Sequence, residues 1–272
     1  MILSKKSLSR RCPGRRIWYD NRMDIIGKTA VITGASGRLG GAIALGLAAR
    51  GMDCVCHCHA NTSAAEAVVE RIQATGRRAA AVRADLACAG DIERLFETAA
   101  AFGTVRVLIN SAALFQRQPL AEMTAETISR TLAVNLTAPM LTSRHFVALL
   151  KADGLDCRTA AAPFAKIINL ADVAATKPWA EYAAYCASKA GLVGLTQALA
   201  KELAPGITVN AVAPGIVTWP EPMTPTEEQK QLARIPAGRF GQPEDIAKSV
   251  AFLLDNDYIT GHTLPIDGGR SL

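Results

Sequence analysis

The sequence predicts an α/β protein built on one doubly wound, parallel, seven-stranded sheet with helices on both faces. Three observations carry that prediction. Short apolar runs of strand length alternate with helical patterns along most of the chain, the signature of successive βαβ units. A glycine-rich turn follows the first of these runs and opens a helix. Finally, 272 residues, half of them apolar and 20% charged, can bury one large core without a second domain.

The elements read in order as follows. A strand at Thr29–Thr33 leads into a helix over about Leu39–Ala49, then a strand at Asp53–His57, a helix near Ala64–Thr75 and a strand at Ala79–Ala84. The alternation continues through a helix at Asp91–Ala101, a strand at Val105–Asn110, a long helix around Ala125–Leu150 and a strand at Ala165–Leu170. A helix over Tyr182–Leu203, a strand at Thr208–Val212, a helix at Pro243–Leu254 and a short strand at Thr263–Ile266 complete the sheet. Ligands of such sheets lie across the carboxyl ends of the strands, so functional residues are expected just after strands. Two irregular stretches remain. Ala152–Phe164 reads as a surface excursion. Ile216–Glu227, with Trp219, Pro220, Pro222, Met223 and Pro225, reads either as a substrate-covering lid or as a proline-rich connection.

The formal charge of +6 is confined to the first 22 residues, which hold Lys5, Lys6, Arg10, Arg11, Arg15, Arg16 and Arg22 against one acid, Asp20. Residues 24–272 are expected to form the folded domain and carry no basic balance of the kind that marks a nucleic-acid binder. Residues 1–23 read as a basic extension: a disordered tail, or a leader ahead of a true start at Met23, with an organellar targeting peptide left open. No apolar run approaches membrane-spanning length. Seven cysteines, an odd number, fit a reducing compartment such as the cytoplasm better than a disulfide framework. The run Cys54-Val55-Cys56-His57-Cys58-His59 alternates as a strand does, sending the cysteines to one face and the histidines to the other. It is therefore expected to be buried strand and not a metal site.

After the first strand comes Thr33-Gly34-Ala35-Ser36-Gly37-Arg38-Leu39-Gly40. Glycines here let the backbone turn sharply against a pyrophosphate, whose charge is met by the helix N-terminus. Such a turn is weak evidence alone, because many strand-to-helix turns use glycine, and the βαβ setting strengthens it. At the end of the second strand, where a carboxylate would receive the adenosine ribose of NAD, the chain reads His57-Cys58-His59-Ala60-Asn61-Thr62-Ser63. Absence of an acid removes repulsion against a 2′-phosphate and favours NADP.

The segment Tyr185-Cys186-Ala187-Ser188-Lys189 puts a phenol and an ammonium on one helical face. In isolation that spacing is ordinary for a half-exposed helix. As a pair, the cation is expected to lower the Tyr185 pKa and let the phenol act as a proton donor. The pair is accompanied by Thr33–Gly40, Asp85-Leu86 after the third strand, Asn110-Ser111-Ala112-Ala113 after the fourth, Asn135 in the long helix, Pro214-Gly215, and Asp267-Gly268-Gly269.

With these motifs the chain resembles the short-chain dehydrogenase/reductase family over Gly27–Leu272, which implies a Rossmann-like fold and a dinucleotide cofactor. Two departures are similar to pteridine reductases and dihydromonapterin reductases: Asp172 stands where the family usually has serine, and Arg38 where it usually has glycine. Phe115 and Tyr182 match positions that line the pterin site in those enzymes. Ser111 replaces a usual asparagine, Ala113 a serine found in some pteridine reductases, and an arginine that some of them place after the second strand is missing.

The resemblance implies NADPH as cofactor, held by Gly34, Ser36, Arg38, Leu39, Gly40, His59, Asn61, Thr62, Ser63, Asp85, Leu86, Asn110, Ser111, Ala112, Tyr185, Lys189, Pro214, Gly215 and Ile216. It implies Asp172, Tyr185, Lys189 and Asn135 as the catalytic group, with Asn135 helping to hold a water that links Lys189 to solvent. Arg38, Phe115, Asp172, Tyr182 and Tyr185 would contact a pterin, dihydropteridine or folate. A homotetramer packed through the Ala125–Leu150 and Tyr182–Leu203 helices is implied as well. The alternatives are reduction of a ketone, such as a 3-oxoacyl thioester, and a non-catalytic NADP-binding protein.

Overall fold

The computed structural model describes residues 23–217 and 224–272. The basic extension, except for Met23, lies outside them. Strands β1 (Thr29–Thr33), β2 (Asp53–Cys58), β3 (Ala79–Arg83), β4 (Val105–Asn110), β5 (Ala165–Leu170), β6 (Ile207–Pro214) and β7 (Thr263–Ile266) form one sheet in the order β3-β2-β1-β4-β5-β6-β7. Every pairing is parallel. The order reverses between β1 and β4, which places the crevice above those two strands.

Alternation along each strand feeds two cores. Ala30, Ile32, Cys54, Cys56, Val107 and Ile109 pack on one face against α1 (Arg38–Ala48), α2 (Thr62–Gln73) and α8 (Pro243–Leu254). Val31, Val55, Leu108, Ile167 and Val209 pack on the other against α3 (Ala89–Phe102), α5 (Ala138–Ala152) and α6 (Ala183–Leu203). The cysteine run is thus buried strand, with Cys54 and Cys56 in the first core. Among the described residues no group of three or more His, Cys, Asp or Glu is placed to hold a metal ion, and no helix is long and apolar enough to cross a membrane. Lys166, inside β5 and 1% exposed, donates to the carbonyl oxygens of Leu253 and Asn256 and pairs with Asp257 at 2.6 Å, so it ties the end of α8 to the sheet.

Three expectations are corrected. The long helix is broken into α4 (Ala125–Leu132), a π turn at Ala133–Thr137 and α5. Pro139 lies in the first turn of α5, where its missing N–H interrupts the helical ladder. The stretch ending at Glu227 contains the start of a helix, α7 (Pro225–Leu232), where Thr224 and Glu227 form a capping box around Pro225. Residues 218–223, with Trp219, Pro220, Pro222 and Met223, lie outside the described residues. The Ala152–Phe164 excursion is not wholly superficial, since Cys157 is buried and Leu155 and Phe164 pack against the second core.

Candidate active site

Gly34, at the end of β1, has φ +69°, and a Cβ there would lie 2.8 Å from Ala112 Cα. Only glycine lets the turn before α1 touch the loop after β4 this closely. A Cβ on Gly40 would lie 2.3 Å from the Gly34 carbonyl oxygen, so that position too must be bare for the helix to start against its own turn. Thr33 locks the arrangement: its Oγ1 accepts from the amides of Ser111 at 2.9 Å and Ala112 at 3.1 Å. The N-cap of α1 is Gly37, with no side-chain cap, which leaves the first amides of the helix available to an anion.

A cavity of about 420 Å³ opens beside this turn. It is lined by Gly34, Arg38, Leu39 and Gly40 on one side, Asp172, Tyr185 and Lys189 on another, and Ser111, Phe115, Pro214, Gly215 and Ile216 between them. A second cavity of about 260 Å³ shares Gly34, Gly37, Ser111 and Ala113 with the first and extends to Ser36, His59, Asp85, Leu86 and Ala112. The uncapped helix start, the bare glycines and the paired cavities fit a dinucleotide, whose pyrophosphate would be met by the start of α1.

The side chains expected to be catalytic meet after β5. Asp172 Oδ1 accepts from the Ala174 amide at 2.7 Å, capping a short 3₁₀ turn at Val173–Ala175, while Oδ2 accepts from the Tyr185 hydroxyl at 2.8 Å. Asp172 is therefore both a cap and a partner of the phenol. Lys189, one turn along α6, donates from Nζ to the Leu170 carbonyl oxygen at 2.6 Å and lies 5.7 Å from the centre of the Tyr185 ring. The four-residue spacing thus brings Tyr185 and Lys189 together as expected.

Their electrostatics differ from expectation. Burial pushes Asp172 above its ordinary carboxyl value, against the opposing pull of the Ala174 amide, the Tyr185 hydroxyl, Lys189 and Arg270. Burial and the adjacent Asp172 hold the Tyr185 phenol well above its ordinary value. Burial lowers Lys189 to about 8, partly offset by Asp172. The expectation that Lys189 would lower the Tyr185 pKa is overturned. The nearest charged group to the phenol is a carboxylate, and desolvation outweighs a cation that faces the ring and not the hydroxyl. The phenol consequently stays protonated, which suits a donor.

Asn135, in the π turn, accepts from the Leu114 amide at 2.7 Å and donates to the Leu114 carbonyl oxygen at 2.9 Å and to Ser188 Oγ at 3.1 Å. These bonds seat the loop after β4 against α6, so the side-chain amide of Asn135 is engaged there and not on Lys189. Phe115 stacks on Tyr182 with ring centres 4.9 Å apart and meets Tyr185 edge-on at 4.8 Å, forming an aromatic wall with Trp179. Trp179 lines the cavity; Tyr182 packs on Phe115 instead of lining it.

Comparison with known proteins decides the family. The profile described as enoyl-(acyl carrier protein) reductase matches residues 34–271. A 3-oxoacyl-[acyl-carrier-protein] reductase of Synechocystis sp. is 37% identical over 248 residues, covering 89% of this chain and 96% of the relative. The chain belongs to the short-chain dehydrogenase/reductase family. The 3beta-hydroxysteroid dehydrogenase 1 of Eggerthella lenta is also 37% identical, over 92% of this chain and 95% of its own. A short-chain dehydrogenase from Burkholderia cenocepacia, solved in complex with NADP, superposes with a TM-score of 0.82 at 34% identity, over 91% of this chain and 99% of that one. The Synechocystis and Eggerthella relatives are named for a 3-oxoacyl and a hydroxysteroid substrate, so at the level of the subfamily they favour a ketone reductase over the pteridine reductases that Asp172 and Arg38 resemble.

Within this short-chain dehydrogenase/reductase, several expected cofactor residues stand away from the cavities. Asn61, Thr62 and Ser63 line neither; Asn61 is spent as the N-cap of α2, accepting from the Ala64 amide and the Ser63 hydroxyl. Asn110 is buried in a network with Asn169 and Thr142. Three aromatic or titratable residues lining the cavities were not foreseen. Trp179 was detectable as an aromatic three residues before Tyr182. Arg130, which pairs with Asp85 at 2.8 Å, and His57, which bonds to the glycine-rich turn, had no local signal, because their partners are 45 and 23 residues away.

Proposed function

We propose that this short-chain dehydrogenase/reductase is an NADPH-dependent reductase of a pterin C=N bond, converting a dihydropteridine to a tetrahydropteridine, with folate a second substrate of the same kind. The observation that carries this reading is the Tyr185–Asp172 hydrogen bond inside the cavity. A carbonyl reductase profits from a neutral hydroxyl beside the tyrosine, whereas a carboxylate whose pKa is raised can hold and return a proton. Reduction of C=N requires one proton delivered to the ring nitrogen for each hydride delivered to carbon.

NADPH supplies the hydride when bound. Tyr185 donates its proton to the substrate nitrogen, and Asp172, a carboxylate while it accepts from the Tyr185 hydroxyl, takes up a proton from solvent and passes it to the phenolate. Lys189, protonated below about pH 8, lies 5.7 Å from the Tyr185 ring centre and would bind the nicotinamide ribose. Phe115, which lines the cavity, would give a flat heterocycle an aromatic contact, and Arg38, in the same lining, would reach cofactor phosphate and substrate. No acid stands in β2 beyond Asp53 or in the Ala60–Ser63 turn, and Arg83 donates to the His59 carbonyl oxygen, so the β2 end suits the 2′-phosphate of NADPH. Assembly as a homotetramer through α4–α5 and α6 belongs to the same reading.

The sign of the pH dependence follows from Lys189. Its lowered pKa makes the protonated form dominant below about 8 and lost above it, so kcat/KM for reduction should fall as pH rises through about 8. Initial rates across the alkaline range read this directly, and a flat profile up to about pH 10, the ordinary lysine range, would contradict it.

The second reading, reduction of a 3-oxoacyl thioester, is supported by the Synechocystis relative. NADPH oxidation with dihydrobiopterin, dihydrofolate and an acetoacetyl thioester in parallel separates the two: turnover of a pterin supports the first, turnover of the thioester alone supports the second.

A further inference from the structure

His57 is the penultimate residue of β2 and its side chain is 2% exposed. It lies on the strand face opposite the cysteines, yet it does more than fill space. Its Nδ1 accepts from the Gly34 amide at 3.0 Å, and its Nε2 is 3.0 Å from the Ala84 carbonyl oxygen. A carbonyl has no proton to give, so Nε2 carries the hydrogen and Nδ1 is the acceptor, which defines a single neutral tautomer. The His57 carbonyl oxygen also receives the Ala35 amide at 2.8 Å. Two successive amides of the glycine-rich turn therefore end on this one residue, while its ring reaches across to the residue before Asp85.

Gly34, His57 and Asp85 line the same 260 Å³ cavity. We propose that His57 is a positioning residue, a strut that fixes the glycine-rich turn against the end of β3 so that the groove between them accepts the adenosine half of the dinucleotide. This rests on the NADPH reading above. An apolar side chain of similar size would leave the Gly34 amide and the Ala84 carbonyl unpaired and free the turn to shift. An imidazolium would fail differently, pointing a second N–H at the Gly34 N–H. The titratable groups that face the ring are His59 just after the same strand, Asp85 after β3 and, through Asp85, Arg130 from α4. Burial holds the imidazole below its ordinary pKa, so the strut is intact at neutral pH and is lost on acidification.

The test is NADPH binding and steady-state kinetics of the full chain with His57→Leu and His57→Asn. Leu should weaken NADPH binding and raise its KM about tenfold or more while kcat stays within about twofold. Asn, whose Oδ1 takes the place of Nδ1 on Gly34, should restore binding to within about threefold of the unaltered protein. With NADH, which has no 2′-phosphate to titrate, the KM of the unaltered protein should rise at a pH below the ordinary imidazole range, and that of His57→Asn should not. Unchanged NADPH binding in His57→Leu, or a parallel loss of kcat without rescue by Asn, overturns the proposal. If the Leu variant does not fold, the Asn comparison decides, since the same pH dependence in both proteins overturns it. Failure of the unaltered protein to bind NADPH would instead overturn the cofactor reading and this proposal with it.

Discussion

Replacing Tyr185 with phenylalanine is expected to lower kcat about 10²- to 10⁴-fold with little change in NADPH binding, the range general acid catalysis contributes. The hydroxyl is the group that Asp172 holds in the cavity, at 2.8 Å. Burial and Asp172 keep it protonated, so in the structure it is a donor in waiting and not a nucleophile or base. The ring itself packs edge-on to Phe115, and phenylalanine preserves that contact, so the fold should be unaffected. Steady-state turnover with whichever substrate is accepted, alongside NADPH titration, checks the prediction. Near-normal turnover would remove Tyr185 from the chemistry.

The second large effect is expected at Asp172. Asp172→Ser leaves an oxygen able to cap the Ala174 amide but exchanges a carboxyl whose pKa burial raises for a neutral hydroxyl beside Tyr185. Reduction of a pterin should fall about 100-fold or more, because the phenolate loses its source of a returning proton, while reduction of a ketone should hold or rise. Measuring kcat/KM for both substrates on both proteins reads the change as a ratio and so cancels any shared loss of folded enzyme. Equal losses on the two substrates would assign Asp172 to structure alone.

Much of the fold was legible because strands and helices announce themselves by period. The runs at Thr29–Thr33, Val105–Asn110 and Ala165–Leu170 have the same bounds in the structure, since each is a buried parallel strand flanked by turn residues. The break at Ala133–Thr137 was not legible: Pro139 is compatible with a helix start, and nothing local distinguishes a start from a continuing helix. The helix at Pro225 was hidden for the converse reason. Its prolines suggested irregular chain, while the decisive signal was Thr224 and Glu227 three apart.

In the site, Tyr185 and Lys189 could be picked out as a pair four residues apart, while their catalytic role and that of Asp172 were implied by resemblance to the family. The direction of the Tyr185 shift could not, because it depends on burial and on which charge lies nearest the hydroxyl, and both are products of tertiary packing. The same holds for His57. Its place in an alternating strand gave the face on which it lies but not the Gly34 amide it would meet.

The central claim is that Asp172 beside Tyr185 makes this cavity a reducer of C=N. It is tested most directly by the ratio of kcat/KM for dihydrobiopterin to that for an acetoacetyl thioester, with NADPH and the purified protein at one pH. A ratio above about 10, which corresponds to about 1.4 kcal/mol of preferential transition-state stabilisation, is the predicted result. A ratio below one, with steady turnover of the thioester, would contradict it and leave a 3-oxoacyl reductase in which the carboxylate serves only as the cap of the turn after β5.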